Sequence, residues 1–261
     1  MLLHFSKYQG TGNDFVMLDG RKRNFDFLTR DQIVWLCDRR FGIGADGLII
    51  LKNHSTVAFE MQYFNADGNQ SSMCGNGGRC IARFFHDLGD ATDKFSFWAI
   101  DGLHKVQITE KSVQLKMANV TDIERVGEDF FLDTGSPHHV AFVDKMPDND
   151  FVIKAKAIRH SEKYKAEGVN VNFVEVQEKG LKIRTFERGV EDETLSCGTG
   201  VTACVLASKV AGKMTDNLVD VQAQGGQLQV AFGQSTNGFE DIWLIGPAQK
   251  SFEGTVNITE F

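Results

Sequence analysis

The chain is poor in the features that mark most partner classes. With three prolines against 26 glycines in 261 residues, it has many tight turns and no stiff linker. No apolar run approaches the ~20 residues of a transmembrane helix. The opening residues, MLLHFSKYQG, hold no charged stretch leading into a long apolar one, so no signal peptide is read there. Basic residues are outnumbered, 28 Lys and Arg against 35 Asp and Glu. The formal charge of −7 offers no broad positive face to nucleic acid or an anionic membrane. Low-complexity stretches are absent. What is present is an apolar content of 42%, ample for a packed core. At ~100–200 residues per domain the length allows one large domain or two modest ones. The expectation is a soluble cytoplasmic protein.

Five cysteines, Cys37, Cys74, Cys80, Cys197 and Cys204, are an odd number for a disulfide framework. Five residues separate Cys74 from Cys80, and six separate Cys197 from Cys204. Neither spacing matches the C-x2–4-C of a structural zinc site, and no H-x3–5-H follows. No metal is expected. Cys37, Cys80 and Cys204 fall on apolar helix faces and read as small buried hydrophobes.

The chain repeats itself. Thr11-Gly-Asn-Asp-Phe-Val is echoed by Thr134-Gly-Ser-Pro-His-His-Val, and Cys74-Gly-Asn-Gly by Cys197-Gly-Thr-Gly, both 123 residues on. The segment Gly42–Ile49 falls against Glu167–Val174 near the same offset, with Gly47 and Asn170 again 123 apart. Strand-like Tyr63-Phe-Asn65 and Thr185-Phe-Glu187 precede the two cysteine motifs. One glycine-rich match is within chance; a shared offset at three places implies two halves of one architecture. Polar residues gather at 117–128, where the halves join.

Period-two alternation marks half-buried strands, mostly antiparallel, at Val57–Tyr63, Lys105–Thr109, Val113–Met117, Val169–Val176, Leu218–Gln222, Leu228–Phe232 and Ile242–Ile245. Thr29-Arg-Asp-Gln32 reads as a capping box opening a helix with Ile33, Val34, Leu36 and Cys37. A second helix runs from about Asn76 and stops at Gly89. Its counterpart, carrying Val201, Cys204 and Val205, stops at Gly212. Each Cys-Gly-Xaa-Gly thus sits where a loop enters a helix.

A helix start presents N–H groups without helical partners and about half a positive charge. It favours a thiolate and binds carboxylates. Two such starts, related by pseudo-symmetry, suit stereoinversion beside a carboxylate. One thiolate removes the α-proton and the opposite thiol returns one to the other face, while the helix ends stabilise the developing charge. His138 and His139 stand open between loop and site roles. Glu187-Arg188 reads either as a solvated pair or, from its place opposite Asn65 in the repeat, as part of a site. Gly42-x-Gly44 lacks the third glycine and the βαβ context of a dinucleotide fingerprint and reads as a turn.

These residues resemble the diaminopimelate epimerase family along nearly the whole chain. The resemblance rests on Gly10-Thr-Gly-Asn-Asp-Phe, Arg40-Phe-Gly-Ile-Gly-Ala-Asp-Gly, Phe64-Asn-Ala-Asp-Gly, Met73-Cys-Gly-Asn-Gly-Gly-Arg-Cys, Gly168-Val-Asn, Glu187-Arg-Gly and Ser196-Cys-Gly-Thr-Gly. It implies an α+β fold of two pseudo-symmetric domains, each a curled antiparallel sheet around a central helix, with the active site in the cleft between them. The corresponding boundaries are residues 1–117 plus 250–261, and 118–249. It implies a homodimer that interconverts LL- and meso-diaminopimelate, for lysine and peptidoglycan precursors, with neither pyridoxal phosphate nor metal. Cys74 and Cys197 match the two acid–base residues; for the LL substrate Cys197 accepts the proton and Cys74 donates one. Gly75-Asn76 and Gly198-Thr199 match the backbone cradle of the reacting carboxylate. Asn13, Asn65 and Asn170 match polar substrate contacts, and Arg188 the guanidinium on the distal carboxylate. Glu187 and His138 match groups that tune the thiols, Glu187 also contacting the reacting ammonium.

Two positions depart from the family: Ser136 stands where many members have Asn, and Gly47 where some have Gln. Proline racemases and hydroxyproline epimerases share the two-thiol logic, but their substrates lack a second amino-acid head. Such a substrate would leave Arg188, Asn13, Asn65 and Asn170 unanswered. The isomerases related to phenazine synthesis lack the cysteine pair. A non-catalytic amino-acid binder needs no thiols, and a thiol-redox protein needs thiols that pair with each other.

Overall fold

The computed structural model describes residues 1–71, 73–89 and 92–259. The chain divides into two compact units, Met1–Leu115 with Pro247–Phe261, and Lys116–Gly246. The first carries β1 (Leu2–Gly10), β2 (Asn13–Asp19), α1 (Arg30–Cys37), β3 (Gly47–Lys52), β4 (Phe59–Asn65), α2 (Gly75–Asp87), β5 (Lys94–Ala99), β6 (Gly102–Ile108) and β7 (Val113–Lys116). The second carries β8 (Ile123–Val126), β9 (Asp129–Asp133), β10 (Pro137–Phe142), α3 (Phe151–Arg159), β11 (Asn170–Val176), β12 (Leu181–Glu187), β13 (Asp192–Thr194), α4 (Gly198–Val210), β14 (Leu218–Ala223), β15 (Gly226–Ser235) and β16 (Gly238–Gly246). The last strand, β17 (Gln249–Asn257), returns to pair antiparallel with β1. Strands dominate over helices, giving the expected α+β class.

Each unit lays its strands in the same order. In the first, β17, β1, β2, β3, β4, β5, β6 and β7 are successive neighbours. In the second the order is β8, β9, β10, β11, β12, β14, β15 and β16. The sense of every pairing also repeats, including parallel steps β2–β3 and β4–β5 matched by β10–β11 and β12–β14. The match reaches single residues: Phe15 lies opposite Gly47, and His138 opposite Asn170. Each member of the second pair is 123 residues beyond its counterpart. The sequence repeat is therefore a repeat of strand register.

The strands are mostly antiparallel, as expected, and β4, β7 and β14 alternate in burial, but β3 and β11 depart from the half-buried pattern. In β11, Asn170 to Val174 are all buried, as are Gly47 to Leu51 in β3. The reason is a helix on each side. Val171 and Phe173 pack with Phe151 and Ala155 of α3, while the alternate residue Asn172 approaches Gly200 of α4. Leu48 and Ile50 pack with Ile33, Leu36 and Cys37 of α1, while Ile49 approaches Gly77 of α2. Helix α1 opens as expected, with Thr29 Oγ1 accepting from Gln32 N and Gln32 Oε1 accepting from Thr29 N. Helix α3 escapes sequence reading because only Phe151 and Ala155 are buried along it and Asp150 makes no side-chain cap.

Candidate active site

In the first unit, strand β4 and the following turns deliver the chain to α2 with Cys74 as its N-cap residue in extended conformation. Its sulfur makes no cap hydrogen bond and stands 3.5 Å from Asn13 Oδ1 at the head of β2. Asn76 Nδ2 donates to the same oxygen at 3.2 Å. Asn13 is oriented from behind, its Nδ2 donating to Asp46 Oδ2 at 2.7 Å. Asp46 belongs to a charge cluster in which Arg39 bridges Asp14 and Asp46 and Lys7 pairs with Asp14. Two cations face two carboxylates, so the cluster is neutral. Burial works to raise the Asp14 carboxyl, yet Arg39 and Lys7 hold it below its ordinary range.

Arg79, one turn into α2, is fully buried. Its Nη2 donates to Asn76 Oδ1 at 2.9 Å and to Thr11 Oγ1 at 3.4 Å, and its Nη1 to the Gly75 carbonyl at 3.4 Å. Nε has no partner. Among the described residues no carboxylate answers this guanidinium, although taking such a charge out of water costs several kcal/mol. Burial lowers its pKa, while negative charge at Cys80 or Cys74 would raise it. The group nonetheless stays charged at neutral pH. Asn65 closes β4 opposite Gly47, but its side chain bonds none of these groups. A Cβ at Gly47 would lie 2.6 Å from Tyr63 Cε2, so the Tyr63 ring fills the space a longer residue 47 would need.

In the second unit Cys197 is likewise an extended N-cap residue whose sulfur makes no cap bond. Here the sulfur lies 3.3 Å from Thr199 Oγ1. That hydroxyl is 2.9 Å from His138 Nε2 and 3.2 Å from Ser136 Oγ. On the far side of the imidazole, His138 Nδ1 meets Asn172 Nδ2 at 3.1 Å, and Asn172 Oδ1 accepts from Thr185 Oγ1 at 2.9 Å. His138 is wholly buried, and burial, with the nearby charge of Arg188, pushes its pKa down to about 3. The ring is neutral at any ordinary pH.

Asn170 spends its side chain on the protein. Nδ2 donates to Ser136 Oγ and to the Pro137 carbonyl, and Oδ1 accepts the backbone N–H of Arg188 at 2.9 Å. The same residue thus holds Ser136 beside the imidazole and fixes the start of the Glu187-Arg188 turn. Glu187 ends β12, half-buried. Arg188 is exposed and donates from Nη1 to the Glu167 carbonyl at 3.1 Å. Gly198 and Thr199 open α4, as Gly75 and Asn76 open α2.

The other cysteines are inert by position. Burial pushes the Cys37 and Cys80 thiols up to about 12 and the Cys204 thiol well above its usual value. Among the described residues no three His, Cys, Asp or Glu side chains converge as a metal site requires. Residues that sequence reading did not single out are Asp46, Arg79, Asn172 and Thr185. Arg79 lies inside the quoted cysteine motif, and Asn172 shares a strand face with Asn170 two residues away, a signal by which it could have been found.

The family model described as diaminopimelate epimerase matches residues 5–122 and 130–250. A diaminopimelate epimerase of Flavobacterium psychrophilum is 49% identical over 252 residues, 96% of this chain and 98% of its own length. One from Chlorobaculum tepidum is 43% identical over 259 residues, 95% of this chain and 99% of its own. Among solved structures, a PhzF-family phenazine biosynthesis protein of Bacillus anthracis superposes with a TM-score of 0.76 at 14% identity, covering 99% of this chain and 100% of that one. A hydroxyproline epimerase of Agrobacterium vitis superposes at 0.67 and 14% identity, covering 98% and 91%. At that identity these two show the shared fold alone.

Proposed function

Because the chain belongs to the diaminopimelate epimerase family, and so is an amino-acid epimerase, we propose that it interconverts LL- and meso-diaminopimelate by moving one α-proton between two cysteines. Cys197 takes the proton from the LL substrate and Cys74 supplies one to the opposite face; the roles exchange in reverse. The observation that carries this reading is the doubled helix start. Each unit ends a loop at a cysteine that does not cap its helix, followed by two residues whose N–H groups have no partner within the helix. Gly75-Asn76 and Gly198-Thr199 hold the reacting carboxylate there, where helix-end charge opposes the negative charge that grows as the α-proton leaves.

Asn13, Asn65 and Glu187 contact the polar groups of the substrate, Glu187 the reacting ammonium. Arg188 pairs with the distal carboxylate, and Asn170, a further polar contact of the substrate, also anchors the Arg188 backbone. His138 tunes Cys197 through Thr199. The halves come from residues 1–117 with 250–261, and from 118–249, with the substrate in the cleft between them. The working form is a cytoplasmic homodimer using neither pyridoxal phosphate nor a metal.

The deciding assay supplies LL-diaminopimelate to the reduced protein in deuterated buffer with no cofactor and a chelator present. Equilibration with the meso isomer and deuterium at one α-carbon are expected, with no turnover of proline or hydroxyproline. Activity that survives Cys74→Ala or Cys197→Ala, or that needs added metal or pyridoxal phosphate, would sink the two-thiol mechanism. Turnover of proline in place of diaminopimelate would sink the substrate assignment. Light scattering of the purified protein reads the subunit number, two being expected.

A further inference from the structure

The hydrogen bonds of the Asn172 side chain go to His138, His139 and Thr185 and not to a cysteine, yet the chain of donors through His138 takes its direction from it. Its Nδ2 donates to the His139 carbonyl at 3.0 Å, an atom that can only accept, so the amide has one orientation. The second N–H of that Nδ2 then points at His138 Nδ1, 3.1 Å away, which must present its lone pair. The proton of the neutral imidazole is therefore on Nε2, 2.9 Å from Thr199 Oγ1 and 3.0 Å from Ser136 Oγ. Ser136 Oγ already accepts from Asn170 Nδ2, and its own proton is left for Thr199. Thr199 Oγ1, accepting from both, has its O–H left for the sulfur of Cys197 at 3.3 Å.

We propose that Asn172, held by Thr185, is a positioning residue that fixes the tautomer of His138 and so aims a hydrogen-bond donor at the sulfur of Cys197. This rests on the two-thiol reading for its catalytic meaning, though not for its geometry. A donor at the sulfur favours the thiolate, the form needed to accept a proton. It also denies His138 the part of a base toward Cys197, since the nitrogen facing Thr199 carries the proton. The charged groups around the chain do not reverse this. Glu187 ends β12 and Arg188 follows it in the turn, the latter disfavouring a charged imidazole. From β9, Asp129 is committed to His139, and from β13, Glu193 to Arg184. The matching position in the first unit is Ile49, which has no donor to give.

The test needs no substrate. In the full-length protein labelled with 15N at histidine, His138 is expected to show a protonated Nε2 and a bare Nδ1 through neutral pH. A proton on Nδ1, or a doubly protonated ring, would overturn the proposal. Site-resolved alkylation by iodoacetamide, read by peptide mass spectrometry across pH, gives the second measure. Asn172→Leu should move the midpoint of Cys197 upward by about one pH unit, roughly tenfold slower reaction below it, and leave Cys74 unmoved. An unchanged Cys197 profile counts against the proposal. If that variant does not fold, Asn172→Asp has nearly the parent shape and sets a carboxylate opposite Nδ1. A proton must then appear on that nitrogen, and a His138 spectrum identical to the parent's would refute the assignment. Loss of the diaminopimelate reading would leave these outcomes standing, because neither involves turnover.

Discussion

Phe15 and His138 stand 123 residues apart on equivalent strands, and each packs against the equivalent glycine of a cysteine-bearing helix. A Cβ on Gly77 would meet Phe15 Cζ at 3.5 Å and Ile49 Cδ1 at 3.1 Å; a Cβ on Gly200 would meet His138 Cε1 at 3.3 Å and Asn172 Oδ1 at 2.6 Å. The third member of each set is Tyr63, edge-on to Phe15, or Thr185, bonded to Asn172. The backbone plan is one plan, but the layer behind the thiol is hydrocarbon and aromatic in one unit and a chain of dipoles in the other. Where the first unit does use a polar device, it is a whole charge. Arg79 has Thr202 as its counterpart, and that hydroxyl only bonds back to the Gly198 carbonyl of its own helix at 3.0 Å. Two thiols with the same local backbone are thus given different surroundings, one by a buried cation and one by a locked neutral histidine. Under the proposed two-thiol mechanism, in which one sulfur takes a proton while the other gives one, such a difference has a use.

The largest test of this contrast removes each sulfur. Cys74→Ala and Cys197→Ala should each lower kcat for epimerisation by about 10³-fold or more. A variant that kept turnover within about tenfold of the parent would mean that one half suffices.

Next is Arg79→Met, which exchanges the unanswered cation for a flexible apolar chain. We expect kcat/KM to fall by about 10- to 100-fold while the melting temperature holds or rises, as replacing a buried charge with hydrocarbon often allows. A variant that loses stability but keeps activity would make Arg79 a structural residue only. Thr202→Val should change kcat/KM by no more than about twofold, because no charge is lost there and the hydroxyl only bonds back to the Gly198 carbonyl of its own helix.

The acid side sharpens the other half. His138 is held near a pKa of about 3 against an ordinary 6.5. Below 6.5 the unfolded chain binds a proton that the folded ring refuses, so this part of the stability is intact above 6.5 and drains away as pH falls toward 3. His138→Phe, which copies Phe15, should flatten that part of the curve. Urea midpoints taken at neutral pH and at about pH 4 would read it, and an equal loss in both proteins would clear His138 of any part.

The smallest effect is expected of Thr185→Val. It removes the donor to Asn172 Oδ1, a buried hydrogen bond worth about 1 kcal/mol, and should shift the denaturant midpoint accordingly.

Much of the plan could be read along the chain. The shared offset, the capping box at Thr29 and the placement of Cys74 and Cys197 at helix starts are local or periodic signals, and they reappear as strand register and N-caps. The polar layers could not be read in the same way. Arg79 looks like an ordinary surface-capable arginine in the motif, and only packing against Thr11, 68 residues away, makes it a buried charge. Asn172 sits in a run that reads as a half-buried strand. Its meaning comes from His138, 34 residues earlier, and Thr185, 13 later. The resemblance pointed to Asn170 only as a polar substrate contact; its hydrogen bonds to Ser136, Pro137 and the Arg188 backbone came into view only with the fold.

Periodicity, capping residues and the internal echo depend on neighbours within a few positions, so they settled where helices begin, how many times the plan is used and which two sulfurs lie at helix starts. Protonation, amide orientation and the cost of burial depend on every dipole and charge within a few ångströms, whatever their distance along the chain. Those came from folding alone: the side of Asn13 that faces a sulfur, the nitrogen of His138 that keeps its proton, and the guanidinium left without an acid.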